Sequence, residues 1–307
     1  MNPSMDDARW RFDRTVSDFI SHGVRCAGWL YRPEGSSMPP VVVMAHGFAA
    51  EKSFRLTAFA ERFAENGMAV FAFDYRNFGD SDGEPRNLVS PKHHIQDWKS
   101  AIDHVRELQG IDHERIALWG SSFSGGHVLV TAAKDPRISA VVSQVPFVDG
   151  ADFARQRGAA YVAQAISAGL KDLLQMVTLR GRYKVPVVGS PDVFAVLNTP
   201  DSKAGYLALV PQESKWRNEC PAAFLLTCAL YRPTTFAKDV RCPTLFVLAE
   251  KDSVVSPESV KKAALKVKNS EVVSLAIGHF DIYFGGYFEE ATRRQVDFLK
   301  EHLVQTV

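Results

Sequence analysis

The sequence has few cysteines and no arrangement of them that suggests a shared role. Its 307 residues include only four, Cys26, Cys220, Cys228 and Cys242, and none belongs to a C-x-x-C pair or lies near a histidine cluster. This pattern argues against a metal site and against a disulfide framework, so we expect no metal and no cofactor. Free thiols in a reducing cytoplasm are the simplest interpretation, with a Cys220–Cys228 bridge left open.

The sequence also lacks an excess of charge and a long apolar run. Its 36 lysines and arginines against 35 acidic residues leave a formal net charge of +1, with no basic cluster to indicate a nucleic-acid partner. No stretch approaches about 18 uninterrupted apolar residues, so we expect no membrane span. The polar start, 1–7, does not resemble a secretory signal. These features favour a cytoplasmic protein that acts on a small molecule, with a homodimer left open.

Strand-like and helix-like segments alternate through most of the chain. A hairpin is predicted at 16–31 around Ser21-His22-Gly23, and short apolar runs then alternate with segments of helical spacing up to residue 147. The alternation stops between 148 and 239, where 159–179 has the spacing of a long amphipathic helix, and it resumes at 240–307. We therefore predict an α/β fold: a core domain (1–147 and 240–307) with a mostly parallel sheet between helices, and a largely helical insertion (148–239).

The motif Gly120-Ser121-Ser122-Phe123-Ser124-Gly125-Gly126 lies between a predicted buried strand and a predicted helix. A strand, a tight turn and a helix form the setting of a nucleophile elbow, in which a serine hydroxyl is held clear of the sheet. The residues two before and two after such a serine approach each other closely, and Gly120 and Ser124 are small enough around Ser122. A plain glycine- and serine-rich loop is the alternative that the motif alone leaves open.

A serine hydroxyl needs a base to accept its proton and an acid to orient that base. His279 follows the last predicted strand and is the candidate base. Asp252 follows the preceding predicted strand and is the candidate acid, although it could instead cap the helix that begins near Pro257. Glu250 and Asp149 are the rival acids. The chain order of serine, acid and histidine is the order found in sheet enzymes with such an elbow.

A developing oxyanion needs two backbone N–H groups directed at one point. Phe123, directly after the candidate nucleophile, can supply one, and Phe48 in the loop after the strand 41–45 can supply the other. Gly47 would let that loop approach closely. His46 is expected to brace the loop rather than to act as a base.

These segments together resemble the α/β-hydrolase superfamily. The resemblance rests on His46-Gly47-Phe48, the loop 74–83, the serine elbow, Asp252 and Gly278-His279. The N-terminal hairpin resembles the dienelactone-hydrolase and acyl-peptidase-like branches, which include esterases, thioesterases and some acyltransferases. The resemblance implies a serine hydrolase that cleaves an ester or thioester through an acyl-enzyme. Acyl transfer, carbon–carbon bond hydrolysis and a non-catalytic binding role are the alternatives.

Two residues depart from the superfamily pattern, and the insertion would form a cap. Ser124 and Asn77 each stand where glycine is frequent; serine is small, and asparagine tolerates unusual backbone angles. The resemblance implies that 148–239 covers the site, with His46, Gly47, Phe280 and Tyr283 contributing to the substrate pocket. Apolar residues of the cap could wall that pocket or form the cap's own core: Val162, Ile166, Leu170, Leu173, Val177, Phe194, Leu197, Tyr206, Leu207, Phe224 and Leu225.

Overall fold

A computed structural model describes residues 9–304 of the chain. The expectation about the polar start, 1–7, lies outside the described residues. The strands are β1 Phe12–Val16, β2 Phe19–Ser21, β3 Val24–Cys26, β4 Gly28–Pro33, β5 Pro40–Ala45, β6 Ala69–Phe73, β7 Asp112–Ser121, β8 Ala140–Gln144, β9 Lys184–Val185, β10 Cys220–Pro221, β11 Thr244–Ala249 and β12 Ser270–Leu275. The α-helices are α1 Leu56–Ala64, α2 Pro91–Glu107, α3 Phe123–Lys134, α4 Gly150–Val177, α5 Ser202–Leu207, α6 Pro257–Ala264 and α7 Gly285–Leu303.

The predicted α/β fold with a mostly parallel sheet is confirmed. Eight strands form one sheet in the order β1-β4-β6-β5-β7-β8-β11-β12. The pairs from β6 to β12 are parallel, and β4 pairs antiparallel with both β1 and β6. Every residue of β5, β6, β8 and β11 is buried, as expected for parallel strands that are covered on both faces. Their carboxyl ends bring the loops after β5, β7 and β11 to one edge.

The turn of the predicted N-terminal hairpin is correct, but its two strands are not continuous. Each predicted strand is divided into two short strands. β2 and β3 pair around His22 and Gly23, which both have positive φ. The strands are interrupted because Asp18 accepts a hydrogen bond from the Gly28 amide and pairs with Arg25 at 2.7 Å. Beyond this break, β1 and β4 form a separate antiparallel pair within the main sheet.

The first helix of the insertion begins earlier than predicted. α4 starts at Gly150, where the Asp149 side chain accepts from the first-turn amides, and it is broken at Gly158 (φ 79°, ψ 169°). The rest of the insertion comprises β9, α5, β10 and four short 3₁₀ helices: Ala222–Leu226, Cys228–Leu230, Pro233–Thr235 and Ala237–Asp239.

Neither alternative for the large apolar face of α4 is correct, because that face neither walls a pocket nor forms a core of residues 148–239. That face is exposed at Ile166, Leu170, Leu173 and Val177, and the helix packs inward through small residues. A Cβ on Gly169 would lie 2.6 Å from Cγ of Leu226, so the Leu226 side chain packs directly on the backbone of α4 there. Fully buried Asp172 fixes the same orientation, because its carboxylate binds Arg182 and the amides of Tyr183 and Ala223.

The cysteines and helices bear on two further expectations. All four cysteines are free thiols, so Cys220 and Cys228 are not bridged. Between residues 9 and 304, no helix is both long enough and apolar enough to cross a membrane.

Candidate active site

Ser122 occupies a strained turn between β7 and α3. Its backbone has φ 56° and ψ −117°, a conformation that costs free energy and that nucleophile elbows characteristically adopt. The turn requires glycine at its entrance, because a Cβ on Gly120 would overlap the carbonyl of Ser124. A Cβ on Gly126 would likewise overlap the carbonyl of Phe147. The small residues of the motif therefore follow from close backbone approach.

The other two serines of the motif have structural partners. The Ser121 hydroxyl is buried between Tyr283 Oη, at 2.5 Å, and Gln144 Nε2, at 3.0 Å. Ser124 Oγ lies 2.8 Å from Tyr75 Oη, so the hydroxyl that stands in place of a frequent glycine is hydrogen-bonded rather than left unpaired. Neither hydroxyl is bonded to His279.

His279 connects Ser122 to Asp252. Its Nε2 lies 3.1 Å from Ser122 Oγ, and its Nδ1 lies 2.6 Å from Asp252 Oδ2. Because a carboxylate only accepts hydrogen bonds, the Nδ1–H donates to Asp252 and leaves Nε2 free to accept from the serine hydroxyl. The imidazole is only 2% exposed, so this exchange is shielded from bulk water.

Asp252 is hydrogen-bonded to His279 and does not cap the helix that begins at Pro257, because Ser256 caps that helix. One oxygen accepts from His279, and the other accepts from the amides of Val254 and Val255 and so organises the turn after β11. The rival acids lie elsewhere. Glu250 is exposed, and Asp149 caps α4 and pairs with Arg232 at 2.8 Å.

The loop after β5 lies directly against the elbow. A Cβ on Gly47 would come within 3.2 Å of Ser122 Cβ, and the ring of Phe48 meets that of Phe123 edge-on at 5.6 Å. Within the described residues, the N–H groups of Phe48 and Phe123 have no protein acceptor. Two free amides beside one serine form a candidate oxyanion hole.

An ionic cluster of Lys52, Asp74 and Asp80 holds the chain that follows the loop after β5. The Asp74 carboxylate accepts from the Lys52 amide at 2.6 Å and from Lys52 Nζ at 2.7 Å, and the same ammonium pairs with Asp80. Position 79 requires glycine for two reasons. Its backbone has φ 52°, and a Cβ there would overlap the Asp74 carboxylate. Asn77 has φ 73°, which is one of the unusual backbone angles that asparagine tolerates.

His46 is a brace rather than a second base. Its Nδ1 lies 3.0 Å from the carbonyl of Gly47, to which it donates. Burial lowers the pKa of His46 to about 4, so the ring is neutral at physiological pH.

The insertion holds the same loop through contacts that the sequence did not reveal. Tyr206 Oη donates to the carbonyl of Phe48 at 2.8 Å, and Trp216 Nε1 donates to the carbonyl of Ala49 at 2.8 Å. Ala49 has φ 49°, a strained conformation that these bonds help to maintain. In the sequence, Trp216 is an isolated tryptophan within the polar stretch 211–219, which suggests a buried contact but does not identify the residue that it contacts.

The same part of the insertion contacts the loops of Asp252 and His279. Ser253 donates to Asp201, and a Cβ on Gly205 would fall within 2.7 Å of three side-chain atoms of Phe280. We call residues 199–216 the clamp, because this segment contacts all three loops around Ser122.

Two apolar cavities meet at Ser122 and share Phe48 and Leu197 as walls. The first is lined by Phe48, Ser122, Phe123, Phe147, Phe153, Val196, Leu197, Phe224, Cys228, Val254 and Val255. The second is lined by His46, Gly47, Phe48, Ala50, Phe54, Leu56, Ser122, Leu197, Tyr206, Leu209, His279, Phe280 and Tyr283. The four residues expected in a pocket thus lie around the second cavity. Of the cap residues named from sequence, Leu197, Tyr206 and Phe224 reach the cavities, whereas Phe194, Leu207 and Leu225 do not.

Comparison with known proteins agrees with this geometry. Residues 36–277 match the family model described as serine aminopeptidase, S33. The chain is 41% identical over 282 residues to the quorum-quenching protein AidA of Acinetobacter baumannii (strain MDR-ZJ06), covering 92% of this chain and 93% of that protein. It is 27% identical over 289 residues to the polyketide transferase af380 of Aspergillus fumigatus (strain ATCC MYA-4609 / CBS 101355 / FGSC A1100 / Af293), covering 92% and 95%.

A solved structure, that of DcsB in complex with its substrate analogue, shares the fold. It superposes with a TM-score of 0.84 over 95% of this chain and 100% of its own, at 24% identity.

Proposed function

The chain belongs to the serine aminopeptidase S33 family of α/β hydrolases, and on that premise we propose that it cleaves a carboxylic ester or thioester through an acyl-enzyme on Ser122. The observation that carries the proposal is the hydrogen-bonded series Ser122–His279–Asp252 beside the free amides of Phe48 and Phe123. A nucleophile, a base, an orienting acid and two oxyanion donors are the complete set that acyl transfer to a serine requires.

The proposed reaction proceeds in two steps. Ser122 Oγ attacks the substrate carbonyl while His279 Nε2 accepts its proton, and Asp252 stabilises the resulting imidazolium. The amides of Phe48 and Phe123 hold the oxyanion, and the leaving group departs with the proton from His279. Water, deprotonated in turn by His279, then attacks the acyl carbonyl. His279 returns this proton to Ser122 Oγ as the ester bond breaks, which releases a carboxylic acid and restores the free serine.

The cavities favour an apolar acyl substrate. The first is lined almost entirely by aromatic and aliphatic side chains, which suits an acyl chain. The second also reaches Ser122 and borders His279, which suits the leaving group that His279 protonates. We therefore propose a small molecule with a hydrophobic acyl group as substrate.

Acyl transfer to an alcohol or amine is the second candidate. Burial of His279 and an apolar cavity on the leaving-group side both disfavour water relative to a bound acceptor. The relative from Aspergillus fumigatus is named a polyketide transferase. Product analysis with competing alcohols and amines distinguishes the two reactions, because a transferase forms the new ester or amide in preference to the free acid.

The test is turnover of p-nitrophenyl esters and acyl thioesters of increasing chain length by the wild type, Ser122→Ala and Ser121→Ala. Loss of the nucleophile is expected to reduce kcat by about 10⁴–10⁶-fold. Ser121→Ala is the matched control, because its hydroxyl bonds to Tyr283 and not to His279. Retention of turnover by Ser122→Ala, with loss in Ser121→Ala, would overturn the assignment.

We also assign the enzyme to the reducing cytoplasm, where its four free thiols are stable. Cell fractionation tests this assignment, and recovery from a secreted fraction would contradict it.

A further inference from the structure

A continuous apolar stripe faces outward along the second half of α4. It comprises Ile166, Leu170, Leu173, Leu174 and Val177, with exposed fractions of 46, 54, 39, 63 and 71%. We call these five residues the outer stripe. Single exposed apolar side chains are normal on a soluble protein, but a contiguous patch of large ones marks an interaction surface.

The chain's own packing prevents the outer stripe from turning inward. The opposite face of α4 is committed through Gly169, which lies against Leu226, and through the buried carboxylate of Asp172, which binds Arg182 at 2.7 Å. Rotating the helix to bury the stripe would leave that carboxylate without its partners, which is strongly destabilising for a buried charge. The stripe must therefore be covered by something outside the described chain, or remain in water.

The spacing of the stripe suits a second helix. Positions 166, 170, 173 and 177 alternate steps of four and three, which is the spacing of a two-helix coiled-coil seam. No charged residue lies within the stripe. Lys171, at its margin, is held over the ring of Tyr183 at 4.0 Å. A stripe without a row of free cations is a poor match for an anionic lipid surface, which attracts lysine- and arginine-rich helices.

The stripe is complementary to itself when two copies run antiparallel. The first half of the same face carries small residues, Ala159 and Ala163, and the second half carries large ones, Leu173 and Val177. An antiparallel pair sets the large half of one helix against the small half of the other. Because the face is uncharged, two identical faces meet without like-charge repulsion.

We propose that the outer stripe is the contact surface between two copies of this chain, related by a two-fold axis with their α4 helices antiparallel. Such a contact is isologous, so each stripe covers the other and the assembly closes as a dimer. Five partly exposed side chains supply less than the roughly 800 Å² per partner that a standard interface buries. The helix pair would thus form the centre of the interface rather than the whole of it.

The proposed contact lies one layer from the cavities. The inner face of α4 packs on Ala222–Leu226, and Phe224 of that segment lines the first cavity and contacts Phe48 at 5.3 Å between ring centroids. Pairing of two α4 helices would therefore brace one wall of the acyl cavity from outside.

The test is sedimentation and light scattering of the full chain over a wide concentration range. The wild type is expected to be a dimer that dissociates on dilution. Leu170→Glu and Leu173→Glu are each expected to be monomeric at concentrations where the wild type is dimeric, with unchanged circular dichroism. Leu265→Glu is the matched control, because Leu265 is 86% exposed but lies at the C-terminal end of α6 and not in the outer stripe. This variant should remain dimeric.

Two results would overturn the proposal. One is a wild type that is monomeric throughout the range, whether or not it then binds vesicles of anionic phospholipid. The other is a dimer that both stripe variants retain. A lipid surface would be indicated instead if the monomeric wild type cosediments with such vesicles and Leu170→Glu does not.

Discussion

The clamp and the helix α4 lie in the same stretch of chain between β8 and β11, but they make different kinds of contact with the rest of the molecule. The clamp, residues 199–216, contacts the core through specific polar groups, including Tyr206 on the Phe48 carbonyl and Asp201 on Ser253. α4 contacts the rest of the insertion through small residues and leaves its large apolar face in solvent. The difference indicates that residues 148–239 are not one functional unit: the clamp belongs to the framework of the site, whereas the second half of α4 supplies a surface.

The largest expected difference in kcat/KM is between two glycine-to-alanine variants, one in the clamp and one in α4. In Gly205→Ala the new Cβ would press on Phe280, the neighbour of His279, so the imidazole would shift from Ser122. A displacement of about 1 Å in a reacting group can cost about 100-fold, and we expect a loss of that order in kcat/KM.

Gly169→Ala is the control in α4, because its Cβ would lie 2.6 Å from Cγ of Leu226 and so also press on one large side chain. Overpacking there should lower the free energy of unfolding by about 1–3 kcal/mol and change kcat/KM by no more than a few-fold. Equal kinetic losses in the two variants would remove the distinction between clamp and α4.

Removing a single hydroxyl is expected to have the next largest effect. Tyr206→Phe leaves the Phe48 carbonyl without its donor, which should loosen the oxyanion loop and lower kcat about 10-fold with little change in KM. A boronic acid that mimics the tetrahedral intermediate should lose affinity by the same factor.

Tyr161→Phe provides the comparison within α4, since its hydroxyl donates to the carbonyl of Val196 at 2.9 Å. Both variants lose one hydrogen bond to a backbone carbonyl, but only the first carbonyl belongs to the oxyanion loop. A fall in kcat in Tyr161→Phe as large as in Tyr206→Phe would contradict the account.

The proposed dimer predicts a smaller effect, on thermal unfolding. The Tm of the wild type should rise with protein concentration, because association stabilises the folded chain by mass action. The Tm of Leu170→Glu should be independent of concentration. A differential scanning calorimetry series checks this, and a concentration-independent wild-type Tm would contradict it.

The smallest expected effect concerns Glu51, which follows the loop that the clamp holds. Burial, and then the nearby carboxylates of Asp74 and Asp80, raise the pKa of Glu51 to about 7. Since this exceeds its value in the unfolded chain, the folded state holds the proton longer, and stability is lost as pH rises through 7.

Glu51→Gln should therefore gain more in Tm relative to the wild type at pH 8 than at pH 5. Exposed Glu258 gives the control substitution, Glu258→Gln. A Tm difference for Glu51→Gln that is the same at both pH values would show that this carboxyl does not titrate as described.

The core was predictable because its signals are local. Short apolar runs predict buried strands, and the small residues around Ser122 are dictated by atoms within the same turn. His279 and Asp252 could be selected by their position after strands, since the carboxyl ends of parallel strands share one edge. The bond from Tyr206 to Phe48 spans 158 positions and involves a backbone carbonyl, so it leaves no pattern in the sequence.

The orientation of α4 shows a second limit. Its apolar periodicity correctly indicated a helix, but periodicity does not say which face packs against the rest of the chain. Gly169 and Asp172 decide the matter through close contact with Leu226 and a hydrogen bond from the Ala223 amide, and both partners lie far along the chain.

The central claim, that Ser122 forms the acyl-enzyme, is tested most directly by mass spectrometry of the intact protein after brief exposure to an activated ester. We expect one added acyl group on the wild type, mapped after digestion to Ser122, and none on Ser122→Ala. An acyl group on Ser121, or an equal mass gain in Ser122→Ala, would contradict it.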